Sequence, residues 1–99
     1  MPIYFLTFHT KPTLDHEQVN KIEGAYINCW IEADEIGAAE QIAAQKIKDT
    51  NWEILNTEDG YEITREDYPS RNKGLECYEQ ALVDKEVYLT RTYPDKGDE

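Results

Sequence analysis

The sequence predicts an α+β fold: a two-layer sandwich of about four mainly antiparallel strands with two helices on one face, in the order β-β-α-β-α-β. Three observations predict it. Residues 25–33 alternate strictly between a small apolar set and a mixed polar and aromatic set. Residues 36–49 and 71–84 carry apolar side chains at helical spacing. The 99 residues are 39% hydrophobic with eleven aromatics (seven Tyr, two Trp, two Phe), enough for one packed core and too aromatic for a disordered chain.

Each element has its own warrant. Residues 3–10 are β-rich in type, and both alternate sets hold apolar residues (Ile3 and Phe5 against Tyr4, Leu6 and Phe8), which suits an interior strand covered on both faces. Residues 11–24 are polar and hold Pro12, Asn20 and Gly24, so they read as a long surface loop with at most one helical turn. In 25–33 a period of two places Ala25, Ile27, Cys29, Ile31 and Ala33 on the core side, with Tyr26, Asn28, Trp30 and Glu32 opposite.

Asp34 is placed to cap the first helix, which carries Ile36, Ala39, Ala43 and Ile47 as its stripe. Glu35 in its first turn and Lys46 and Lys48 in its last complement the helix dipole, and Asn51 ends it. Residues 52–63 form a third strand that either continues past a bulge at Asp59-Gly60 or turns back there as a hairpin. Thr64 to Asp67 resembles a capping box, and Pro69 stops the turn that it starts. Ser70 caps the second helix, with Leu75, Tyr78 and Leu82 as its stripe and Ala81 beside them, while Cys77 falls at the boundary of burial. Residues 86–92 are the last strand, and a domain of 1–93 is followed by a frayed acidic tail, 94–99. In element order alone the chain resembles a ferredoxin-like plait lacking its first helix.

The chemistry-bearing residues are sparse. His9 and His16 are the two histidines, and Asp15-His16-Glu17 reads as a solvated loop rather than a metal site. Cys29 shares the core side with Ile27 and Ile31, and no export signal precedes the two cysteines, so free thiols in a reducing cytoplasm are expected. Residues 56–60 fail as a calcium loop, because Gly60 at the sixth position puts Leu55 at the first. No phosphate-cradling glycine loop or nucleophile elbow is present. The expectation is no cofactor, no metal and no catalytic set.

Charge is the stronger signal. Ten Lys and Arg stand against 21 Asp and Glu, a net −11, which disfavours nucleic acid and anionic membranes as partners. Six acids and one base lie between residues 52 and 68. Two functional expectations result. In the first, a non-enzymatic interaction protein meets a basic protein through Glu53, Glu58, Asp59, Tyr61, Glu62, Glu66, Asp67 and Tyr68, as an immunity protein meets a cationic toxin nuclease. In the second, the sheet face left open by the helices forms a ligand-binding module or small enzyme, with Tyr26, Trp30 and Tyr88 holding an aromatic body and His9, Asn28 and Glu32 supplying polar contacts. Two such faces could also meet in a homodimer. The alternative for this face is that the 11–24 loop folds over it and buries Trp30.

Overall fold

The computed structural model describes residues 1–17, 19–68, 70 and 72–94, with the backbone alone at Pro94. Strands β1 (Ile3–Pro12) and β2 (Ile22–Glu32) lead to helix α1 (Ile36–Asp49) and strand β3 (Trp52–Ile63). A single 3-10 turn (Arg65–Asp67), helix α2 (Lys73–Asp84) and strand β4 (Glu86–Pro94) complete the chain. The α+β class and the order β-β-α-β-α-β are as expected. The expected tail lies outside the described residues beyond Pro94, as does Pro69. The sheet runs β3-β1-β2-β4, and every neighbouring pair is antiparallel.

The helices do not share a face, which corrects the two-layer expectation. Ala39, Ala43 and Ile47 of α1 bury against Leu6 and Phe8 of β1 and Ala25, Ile27, Cys29 and Ile31 of β2. Cys77 and Ala81 of α2 bury in a second cluster with Ile3, Trp30 and Ile63, packed by Phe5, Val87 and Leu89. Successive strand residues point to opposite faces, so the two clusters lie on opposite sides of the sheet. The physical reason lies in β1 itself. Its two apolar sets need two covers, and a helix pair on one side would leave Phe5 and Trp30 in water. The plait resemblance fails at the same point, since a plait stacks its helices on one face.

The remaining corrections are local. The central hairpin is longer than expected, and only residues 13–21 connect its strands. Residues 52–63 are one strand with two bulges against β1, where Glu58 and Leu55 are the extra residues. Among the described residues no glycine adopts positive φ, so Asp59-Gly60 makes no turn, and Gly60 instead lies opposite Leu6. Helix α1 starts from Glu35 rather than Asp34, without a side-chain cap. Thr50 closes it by donating from Oγ1 to the Ile47 carbonyl at 2.9 Å, and Asn51 takes the left-handed conformation at φ 67°. Helix α2 is capped by Asn72 rather than Ser70, and the Asn72 Oδ1 accepts from the Leu75 N–H at 3.0 Å. Its buried line is Leu75, Cys77 and Ala81, so the expected stripe is rotated and Leu82 is exposed. The capping box at Thr64 and Asp67 is present.

Candidate functional site

The face under α2 divides in two. Helix α2 covers the end holding Ile3, Phe5, Trp30, Val87 and Leu89. The other end, Thr7 and His9 with Asn28, Tyr26, Arg91 and Tyr93, has no helix over it. Where covered and uncovered parts meet, a groove of about 450 Å³ opens between the first turn of α2 and the sheet.

The floor of the groove is aromatic. Phe5 meets Trp30 edge-on with centroids 5.1 Å apart, and Tyr61 tilts against Phe5 at 5.6 Å. Trp30 is 3% exposed. Its cover is α2 and Tyr68, whose hydroxyl accepts from the indole Nε1–H at 2.9 Å. The loop after β1, the alternative cover, lies at the other end of the sheet, where His16 meets Trp52 edge-on at 4.5 Å. Gly74 makes the Tyr68 arrangement possible: a Cβ there would sit 2.7 Å from Tyr68 Cε1. Burial pushes the Tyr68 phenol up, and its hydroxyl hydrogen is not used in the bond to Trp30.

The polar lining is rich in donors. Asn28 Oδ1 accepts from Thr7 Oγ1 at 2.9 Å, which orients its amide nitrogen as the free donor. Lys73 and Arg91 also line the groove, and neither has an ion-pair partner among the described residues. Asp67 is the acid at the rim, with Oδ2 engaged by the Thr64 N–H at 2.7 Å.

Beyond the groove lies an aromatic platform. His9 stacks on Tyr26 with centroids 4.6 Å apart, and its Nε2 is 2.7 Å from the Tyr93 hydroxyl. Gly24 is required here, because a Cβ would meet the Tyr93 hydroxyl at 2.3 Å and the Thr10 carbonyl at 2.8 Å. His9 faces a phenol rather than the carboxylate of Glu32, which pairs with Ile3 at the far end of the sheet.

The sequence candidates therefore redistribute. Asn28, Trp30, Tyr61, Asp67 and Tyr68, drawn from both expected sets, converge on the groove. His9 and Tyr26 form the platform beside it. Tyr88 belongs to neither: it lies on the α1 face, where its hydroxyl donates to Glu86 Oε1 at 2.8 Å. Sequence reasoning misses Lys73 and Arg91. The alternation Val87, Leu89, Arg91, Tyr93 is a signal that could find Arg91, whereas Lys73 depends on where α2 begins.

The acidic residues obey a second geometry. Strand β3 is an edge strand, and Glu53, Glu58, Asp59 and Glu62 are all exposed along it, with Glu66 and Asp67 continuing on the 3-10 turn. Glu53 pairs with Lys11 at 3.7 Å, and Glu58 accepts from Asn56. Arg65, the one base of this stretch, is turned away to Glu79 and lies over the Tyr78 ring.

The thiols are poor nucleophiles. Burial pushes Cys29 up to about 12, and it raises Cys77 against the partial relief of Lys73. Among the described residues, no group of three His, Cys, Asp or Glu is placed to hold a metal, and no helix is long and apolar enough to cross a membrane. No family model, curated protein or solved structure matches this chain.

Proposed function

We propose that this protein acts by binding, presenting the acidic strip of β3 and the 3-10 turn to a basic protein partner. One observation carries the reading: residues 52–63 form an edge strand continued by the 3-10 turn at 65–67, and all six acids of this stretch are exposed along it. Opposite charge concentrated on an edge steers encounter and speeds capture. The two bulges and the charges on β3 work against backbone pairing with another strand, so the partner reads side chains, with half-exposed Tyr61 as an apolar anchor. A cationic nuclease toxin is the concrete partner class, and the protein would then serve as its immunity factor.

The test is binding to a panel of cationic nucleases at low and high salt, with Glu58, Asp59 and Glu62 reversed together to Lys. These three are exposed, and none supports the core. Affinity is expected to fall by at least roughly tenfold on reversal and to weaken with salt. Binding that ignores both changes refutes the reading.

A further inference from the structure

We infer that the groove under α2 is a site for a small aromatic anion, a planar ring bearing a carboxylate or phosphate. This site borders the acidic edge and shares Tyr61, Asp67 and Tyr68 with it, but the inference does not rest on the partner-binding reading. Its volume of about 450 Å³ falls within the usual range of roughly 300–1,000 Å³ for small-ligand pockets. The inference rests on what faces the cavity. Half-buried Phe5 and exposed Tyr61 offer ring surface for a flat apolar body, backed by the buried Trp30. Around them stand Lys73 and Arg91, with the Asn28 amide and the Tyr68 hydroxyl.

These four groups are donors in their present hydrogen-bonding state. Asn28 has its oxygen occupied by Thr7, and the Tyr68 oxygen already accepts from Trp30. The rim carboxylate of Asp67 accepts from Thr64 through Oδ2 alone, and its single negative charge is outweighed by the two cations of the groove. A donor-rich pocket matches an acceptor-rich ligand, and charge-assisted bonds from a guanidinium and an ammonium favour an anion over a neutral molecule. In a chain of net −11, two cations without ion-pair partners among the described residues border one aromatic cavity. Arginine presents a planar fork that fits either a carboxylate or a phosphate, so both acids belong to the proposed class.

The experiment is a titration of the full chain monitored through its two indole N–H resonances. Trp30 lies in the groove, and Trp52 lies on the opposite face as an internal reference. The probes are benzoate, phenyl phosphate, inorganic phosphate and benzylamine. Saturable movement of the Trp30 resonance by benzoate or phenyl phosphate, with Trp52 unmoved, is expected, and the tighter of the two names the preferred acid. Arg91→Ala and Lys73→Ala, both at exposed positions, are each expected to weaken binding by roughly tenfold. The inference is overturned if neither aryl anion moves Trp30 saturably, or if benzylamine binds as well. It is equally overturned if inorganic phosphate alone matches the aryl anions, or if both variants bind like the parent.

Discussion

The two faces of the sheet are covered by helices of similar length and reach different ends. Helix α1 presents Ala39 and Ala43, so it lies close to the strands and buries Leu6, Phe8 and Ile27, while a cavity of about 580 Å³ lined by Phe8, Ala44, Trp52 and Ile54 opens beside it. Helix α2 meets larger side chains, Trp30, Phe5 and Leu89, and it covers one end of its face only. The difference lies in what fills each face: aliphatic side chains and Phe8 under α1, an aromatic cluster of Phe5 and Trp30 under α2. Both helices pack through small residues, Ala39 and Ala43 in α1 and Cys77 and Ala81 in α2, and on each face a groove opens where the helix stops covering the sheet.

The largest test of this contrast compares neighbours on β1. Phe8, 1% exposed under α1, is expected to cost about 3–5 kcal/mol when replaced by Ala. Phe5, half-buried on the other face, is expected to cost about 1–2 kcal/mol, because part of its ring already faces the groove. Equal losses in denaturant titrations would erase the distinction between the faces. Next, Ala43→Leu is expected to destabilise by about 1–3 kcal/mol, since no space exists for a longer side chain between α1 and the sheet. A neutral result would mean that α1 is not closely seated.

Tyr68→Phe probes the other cover. It removes the oxygen that accepts from Trp30 Nε1 and leaves a buried N–H without that partner, at about 1–2 kcal/mol. The Trp30 indole resonance should move while Trp52 stays in place. Alkaline stability depends on Cys29. Its folded thiol is pushed up to about 12 from 9.0, so both folded and unfolded chains keep the proton below pH 9 and stability is complete there. As pH rises from 9 toward 12 the unfolded chain alone ionises, and stability falls by roughly 1.4 kcal/mol per pH unit from this group. Burial raises the Tyr88 phenol too and adds loss of the same sign. Cys29→Ala should flatten the slope measured by denaturant titration across that range. The smallest expected effect is at Tyr26, 41% exposed on the platform, where Tyr26→Ser loses the His9 stack at about 0.5 kcal/mol.

Much of the fold is legible in the sequence because the period-two pattern of 25–33 and the helical spacing of 36–49 are local signals. The pattern of β1 also contains the layer arrangement, since two apolar sets on one strand demand a helix on each side. That demand is easily taken for the burial of a single strand. The site is legible in parts only. Asn28 and Trp30 share a face by alternation, and Tyr61 and Tyr68 stand out as aromatics in an acidic stretch. What joins them is the pairing of β1 with both β2 and β3, a contact between residues far apart in the chain that no local pattern encodes. Tyr88 is misplaced by sequence reasoning because nothing in Glu86 to Thr92 tells which alternate set faces which helix until the partner register is known.

The sheet order has a consequence for how the chain reaches this state. β1 and β2 are adjacent in sequence and sit together at the centre, so their hairpin closes a short loop and meets little entropic cost. β3 and β4 then attach to opposite sides of that hairpin, each carried there by its own helix, and neither needs the other as a template. With the β1–β2 hairpin as nucleus, β3 and β4 can add to it in either order. Changes at the β1–β2 pairing should slow folding, whereas changes confined to β3 or β4 should act mainly by speeding unfolding.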